Sequence, residues 1–164
     1  MNKQTFTTQK LEKGEINVYD FGTIKLHAYK TEDLMSDEVF ILEKNGQSVI
    51  IESPCFLDNE SALEKYVQNL NVVGMLIAYH AAGGKFLFSV KKYSTQSAKN
   101  YAENGGGRAL IDNFTKAFGE VFDNTLHNIT DIISSGKITI GGIDFVISPN
   151  DEAFDIEIPE INVV

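Results

Sequence analysis

The feature that most constrains this chain is an apolar run that stops at a histidine and a glycine pair. Seven of the eight residues 72–79 are apolar, and His80 and Gly83-Gly84 follow. A run of this length predicts a strand buried on both faces, because a helix of these residues would expose apolar surface all round. Open α/β folds place their chemistry where parallel strands end. The run therefore predicts a crevice at His80.

The residues before this run predict a mixed sheet. Apolar segments 38–43 and 47–52 flank Asn45-Gly46, a dipeptide that favours the type I′ turn of a hairpin. A helix is expected to begin near Asn59 or Ser61, with its apolar side on the sheet. A strand, a helix and a parallel strand then imply a right-handed crossover.

The rest of the chain predicts two more helices and a second hairpin. The periodicity indicates helices over residues 95–103 and 109–122, a hairpin over 138–147 and an alternating strand over 154–158. A chain of 164 residues can bury one core without metal or disulfide bonds. We therefore expect a single layered α/β domain over residues 1–164.

Net charge and cysteine content limit the partners and the compartment that are expected for this chain. The formal net charge is −9 and no basic block is present, so nucleic acid and anionic membranes are poor partners. The single Cys55 excludes an internal disulfide and fits a reducing compartment. No apolar segment has the length of a signal peptide core or a membrane span. The expected location is the cytoplasm.

The order of these elements resembles the metallo-β-lactamase-like superfamily, whose fold is an αββα sandwich. Residues 39–42 and 49–55 look like the two N-terminal strands of that family. Residues 78–84 stand where the family carries its histidine-rich metal signature, which ends in two glycines. Residues 138–147 and 154–164 look like its later hairpin and strand. The resemblance implies an incomplete αββα sandwich with mixed sheets, matching the N-terminal two-thirds of the family domain.

The metal ligands of the family are missing from this resemblance. If His80 matches the first histidine of the signature, the other ligand positions fall on Ala82, Gly84 and Lys85. A methyl group and a bare backbone cannot coordinate a cation, and an ammonium repels one. Family members supply a bridging aspartate and a final histidine after the strand that is here 161–164, where this chain ends. The usual dinuclear centre is not expected, and neither is any cofactor.

Three functions remain open at this stage. The favoured interpretation is a binding or assembly module without the dinuclear site. The alternative is a metal-dependent hydrolase with a reduced site around His80, which would use zinc and would make His80 catalytic. His80 and Asp151 are then the candidate metal ligands. The third is an interaction subunit completed by another chain.

The other candidate residues have ordinary structural explanations. Cys55 could pair with His80 as a thiol and imidazole, but a free cysteine is usually a small buried hydrophobe. His27 is expected to face solvent, and His127 to cap or pack a helix. The glycines of 105–107 are expected to form a connector rather than an anion cradle.

An acidic group near the second hairpin is expected to be a solvated rim rather than a cation site. Its members are Asp144, Asp151, Glu152 and Asp155.

The C-terminal residues predict a homodimer. Segments 154–158 and 161–164 should lie beside unfilled space, and an apolar strand with a free edge is a template for pairing. Ile161, Val163 and Val164 also lack an obvious apolar neighbour. We therefore expect two copies to associate through their C-terminal strands.

Overall fold

The computed structural model describes residues 5–79 and 82–164, which form two sheets and three α-helices. The larger sheet has the strand order β1 (Phe6–Lys10), β2 (Glu15–Asp20), β3 (Lys25–Lys30), β4 (Glu38–Lys44), β5 (Gln47–Ile51), β6 (Val72–Leu76), β7 (Lys92–Thr95) and β8 (Asp131–Ile133). The smaller sheet has the order β11 (Phe154–Glu157), β10 (Ile143–Pro149) and β9 (Gly136–Ile140). The helices are α1 (Leu57–Val67), α2 (Gln96–Asn104) and α3 (Gly106–Phe118). Within the described residues, no helix has the length and hydropathy needed to cross a bilayer.

The larger sheet is mixed, as the sequence predicts. Strands β1 to β5 pair with one another in antiparallel fashion, and strands β5 to β8 pair with one another in parallel fashion. The hairpin of β4 and β5 turns at Asn45 and Gly46, whose φ angles of 49° and 75° are those a type I′ turn requires. The predicted second hairpin is also present, as β9 and β10.

The apolar run forms the predicted buried strand, β6, between β5 and β7. Met75 and Leu76 are fully buried. The strand ends at Leu76 rather than at residue 79, because the next residues turn into the crevice. The helix before it begins at Leu57, earlier than predicted, and follows Phe56 in an extended conformation without a side-chain cap.

The two faces of the larger sheet bury different partners. One face packs on α1 through Leu63 and Val67, against strand residues such as Ile50. The other face packs on the smaller sheet, where Phe145 is fully buried. Helix, sheet and sheet therefore supply three layers of the predicted sandwich.

The outer face of the smaller sheet is polar. Asp144 accepts a hydrogen bond from Thr139 Oγ1 at 2.6 Å and pairs with Lys137 Nζ at 2.7 Å. A face of paired polar groups is stable in water.

The C-terminal residues differ from the prediction. Strand β11 is present at the edge of the smaller sheet, but residues 161–164 are not a strand. Pro159 begins a 3-10 turn, and Asn162 with φ 54° sends the chain back so that Val163 hydrogen-bonds with Ile158. Ile161 is consequently buried within the monomer, whereas Val164 is exposed.

Candidate functional site

A cavity of about 350 Å³ opens beyond the C-terminal end of β6, where the sequence predicts a crevice. Its walls come from the β3–β4 connection, the residues after β5 and β6, and helices α2 and α3. They are predominantly apolar and aromatic: Met35, Asp37, Cys55, Tyr79, Ala82, Tyr101, Gly107, Leu110, Ile111, Phe114 and Phe122.

The principal predicted site residue, His80, lies outside the described residues, as does Ala81. The residues on either side of this pair, Tyr79 and Ala82, both line the cavity.

Glu52 holds the backbone where the loop leaves β6. Its Oε1 atom accepts hydrogen bonds from the backbone N–H groups of Ala78 at 2.7 Å and Tyr79 at 2.9 Å. Glu52 has φ 66°, which is an uncommon conformation for a residue with a side chain. Such strain persists where the surrounding structure requires it, and here it aims the carboxylate at the loop.

The glycine pair lies where a side chain would not fit. The N–H groups of Gly83 and Gly84 donate to the carbonyls of Asp123 and Thr125, at 3.1 and 2.9 Å. A Cβ atom on Gly84 would overlap the carbonyl of Leu126. The pair is therefore required by close backbone packing, which is the reason for glycine at such positions.

A buried serine–histidine pair lies beneath the loop. Ser53 Oγ and His127 Nε2 share a hydrogen bond of 2.9 Å, and Ser53 Oγ lies 3.4 Å from the carbonyl oxygen of Ala82. Ser53 is fully buried, so a substrate cannot reach it as a nucleophile. His127 thus contacts the loop through Ser53, whereas the sequence predicted that it caps or packs a helix.

A buried carboxyl pair supports the loop from the side of α1. Burial, and then a hydrogen bond with Asp123, raise the pKa of Glu60 to about 9, so Glu60 is protonated at neutral pH. Although burial opposes it, hydrogen bonds from Glu60 and from the N–H groups of Lys85 and Thr125 lower the pKa of Asp123. Lys92 is also fully buried, and burial lowers its pKa.

The thiol in the cavity wall is not an activated nucleophile. Cys55 Sγ lies 3.8 Å from Asp37 Oδ2. Burial, and then the charge of Asp37, raise the pKa of Cys55 well above its usual range. Because the thiolate is the reactive form, the structure does not support the thiol–imidazole hypothesis.

The described residues do not fit the metal centre of the resembled family. Among residues 5–79 and 82–164, no group of three or more His, Cys, Asp and Glu side chains could hold a metal ion. The cavity wall offers the Asp37 carboxylate and the protonated Cys55 thiol, and at one predicted ligand position the methyl group of Ala82. Asp151 lies in the exposed turn between β10 and β11 and is not among the residues that line the cavity.

The prediction that His27 faces solvent is wrong. His27 is only 5% exposed, because Tyr66 of α1 covers its face of β3. Its Nε2 atom donates to the Glu43 carboxylate at 3.2 Å, so Nδ1 accepts from the Tyr66 hydroxyl at 2.8 Å. Burial lowers the pKa of His27, which is consistent with this neutral form.

The glycine run at 105–107 is more than a connector. It joins α2 directly to α3, which begins at Gly106, and Gly107 is buried in the cavity wall. Helix α2 is capped by Thr95, whose Oγ1 accepts from Ala98 N–H.

Comparison with solved structures identifies the architecture. The chain is similar to the B3 metallo-beta-lactamase BLEG-1, with TM-score 0.59 and 12% identity, over 82% of this chain and 68% of that one. It is similar to DIM-1 metallo-beta-lactamase, with TM-score 0.56 and 15% identity, over 94% and 67%. The chain has the metallo-β-lactamase fold. The FIM-1 metallo-beta-lactamase from Pseudomonas aeruginosa, solved in a mono-zinc form, gives TM-score 0.57 and 9% identity, over 96% and 65%.

The likeness to the metallo-β-lactamase fold is structural. No protein-family model matches the sequence, and no curated protein matches it. The chain spans about two-thirds of the length of these three enzymes.

Proposed function

We propose that this chain is a cytoplasmic ligand-binding module on the metallo-β-lactamase fold, which binds a small apolar molecule in the cavity beyond β6. The observation that carries the proposal is the composition of that cavity wall. Tyr79, Tyr101, Phe114 and Phe122 contribute aromatic surface where a hydrolytic centre would require several polar ligands.

The size and charge of the cavity define the ligand. A volume of about 350 Å³ lies within the range of small-molecule sites. The Tyr79 and Tyr101 rings are stacked with centroids 6.2 Å apart, which offers a planar surface to a ring-containing ligand. Asp37 in the wall and the net charge of −9 disfavour anions. A neutral ring compound suits the site best.

A fluorescence titration tests this proposal. The probe is N-phenyl-1-naphthylamine, a neutral apolar dye that becomes fluorescent in a dry pocket. Leu110→Asp places a charge on the wall at a residue that is 37% exposed, and we expect at least tenfold weaker dye binding. Ile132→Asp is the matched control, because Ile132 is also half-exposed but lies on β8 away from the cavity. Equal binding by both variants would contradict the proposal.

The alternative function is a metal-dependent hydrolase with a reduced site around His80. It is favoured by the two neighbours Tyr79 and Ala82, which line a cavity that also holds Asp37. Metal analysis of the purified protein separates the two functions, because working sites bind metal tightly. Zinc, iron or manganese above about a tenth of an equivalent, together with hydrolytic activity lost in His80→Ala, would favour the hydrolase.

The homodimer through the C-terminal strands is part of the same proposal. Its support is β11, which lies at the edge of the smaller sheet and leaves one side of the strand available for pairing. Light scattering at micromolar concentration should give twice the 18.2 kDa mass of the chain. A monomeric mass under these conditions would remove the dimer and leave the binding function untouched.

A further inference from the structure

We propose that a second cavity, of about 430 Å³, binds a primary ammonium group carried on an aliphatic chain. This cavity lies between the β3–β4 connection, the start of α1 and the residues after α3. It is separate from the apolar cavity, although consecutive residues such as Leu34 and Met35 line the two on opposite sides.

The first observation is the side-chain amide of Asn59, whose oxygen has no hydrogen-bond partner among the described residues. Asn59 is fully buried in the wall of this cavity. Its Nδ2 atom donates to the Tyr29 hydroxyl at 2.8 Å and to the Thr31 carbonyl at 2.7 Å, and these two acceptors determine the orientation of the amide. The Oδ1 atom has no hydrogen-bond partner among the described residues. A buried acceptor in this state is costly, so a donor that reaches it is favoured.

The second observation is a carboxylate in the same wall. Asp33 Oδ1 accepts from the N–H groups of Met35 and Ser36, each at 2.8 Å. Its Oδ2 atom is buried and has no hydrogen-bond partner among the described residues. The turn that carries Asp33 is accessible, since Leu34 is 75% exposed. The proposed binding mode includes an outward movement of this turn, which brings a donor to both orphan oxygens.

The surroundings select a cation with an apolar tail. Asp58 and Glu120 add exposed carboxylates at the rim, and Lys13 provides the one ammonium among the described lining residues. Anions are therefore repelled and cations attracted. Leu34 and Val121 add exposed aliphatic surface beside the charges. An aliphatic ammonium matches both parts of this surface.

An ammonium fits the acceptors better than a metal ion does. It carries three N–H donors on one atom, which can satisfy Asn59 Oδ1, Asp33 Oδ2 and one water. Calcium requires six to eight oxygen ligands, and the described residues hold no group of three acidic or other ligating side chains that could bind a metal.

Calorimetric titration with hexylamine at pH 8 tests the proposal, because the amine is then protonated. Hexan-1-ol, which has the same chain without the charge, should bind at least tenfold more weakly. Calcium and magnesium chlorides should not compete. Titration with Nα-acetyl-lysine methylamide compares a lysine side chain with a free amine as the source of the group. Whichever compound binds more tightly identifies the source. Equal binding of hexan-1-ol, or displacement of hexylammonium by calcium, would overturn the assignment.

The matched variants are Asp33→Asn and Asp155→Asn. Asp33→Asn keeps the Oδ1 acceptor of the turn and removes the charge, so hexylammonium binding should weaken at least tenfold. Asp155→Asn makes the same charge change on exposed β11 and should alter binding less than twofold. Equal affinities in the two variants would overturn the proposal. Amide NMR shifts at Asn59 confirm the location, and displacement of N-phenyl-1-naphthylamine by hexylammonium would instead assign the amine to the apolar cavity.

Discussion

The loop after β6, which contains Gly83 and Gly84, lies between two regions that differ in chemistry. We call the buried residues that hold its backbone the support, and the wall of the apolar cavity the surface. Beneath it, the backbone is held by polar contacts from Glu52, the buried pair of Ser53 and His127, and Asp123. Above it, the cavity wall is mostly aromatic and aliphatic, with Ala82 as the member of the loop nearest the glycines. The shape of the loop therefore depends on its support, whereas its chemistry depends on the few side chains that face the cavity. A fold can hold a site region in place without providing the ligands of a metal centre.

The largest expected loss of stability comes from adding a side chain at Gly84, where the loop packs on the support. Gly84→Ala should lower the free energy of unfolding by at least about 3 kcal/mol, because the added methyl group overlaps the Leu126 carbonyl. Urea unfolding measures the change. The control is Gly142→Ala, where φ is 72° but no atom lies near the added methyl group, so about 1 kcal/mol is expected. Equal losses would show that the support tolerates a side chain.

The buried carboxyl pair should make stability pH-dependent. The pKa of Glu60 is about 9 in the folded protein and ordinary, near 4.5, in the unfolded chain. Between these values the folded state holds a proton that the unfolded state lacks, so stability falls as pH rises from about 4.5 to 9. Glu60→Gln removes this titration. The free energy of unfolding of the variant minus that of wild type should therefore be larger at pH 9 than at pH 5, by on the order of 1–3 kcal/mol.

The control for the pH series is Glu157→Gln, which changes an exposed glutamate on β11. It should follow the wild-type pH profile. If Glu60→Gln also follows that profile, then Glu60 is ionised in the folded protein and its pKa is not raised.

A smaller effect is expected at the carboxylate that holds the end of β6. Glu52→Ala removes the acceptor of two backbone N–H groups and should cost roughly 1–3 kcal/mol. Glu52→Gly loses the same acceptor but relieves the strain of φ 66°, so it should be less destabilising than Glu52→Ala by about 1 kcal/mol. Thermal unfolding of the two variants measures the difference. A glycine variant less stable than the alanine variant would show that the φ angle carries no strain.

The smallest effect on stability is expected from the surface of the cavity. Leu110→Asp, which should weaken dye binding, should change the free energy of unfolding by about 1 kcal/mol or less, because the side chain is partly exposed on α3. Urea unfolding of this variant beside Gly84→Ala compares surface and support directly. A loss as large as that of Gly84→Ala would mean that the cavity wall also supports the fold.

Elements with a strong local pattern could be predicted from the sequence. The Asn45-Gly46 hairpin, the buried strand at Val72–Leu76 and the second hairpin all depend on short-range periodicity and turn residues. The surroundings of the site could not be predicted in the same way. His27 lies on the polar positions of its strand, and it is buried in the fold, where it contacts Tyr66 of α1.

The sequence by itself determined the layered α/β fold and the place of the crevice, because these follow from apolar periodicity and from where a buried strand ends. It also determined which residue types stand at the family's ligand positions. Only the tertiary structure decided that Ser53 meets His127 across 74 positions and that Glu60 hydrogen-bonds with Asp123. It also decided that Asn59 Oδ1 has no hydrogen-bond partner among the described residues. Side-chain partners and protonation states depend on burial and distance between remote segments, and no local pattern in the chain encodes either.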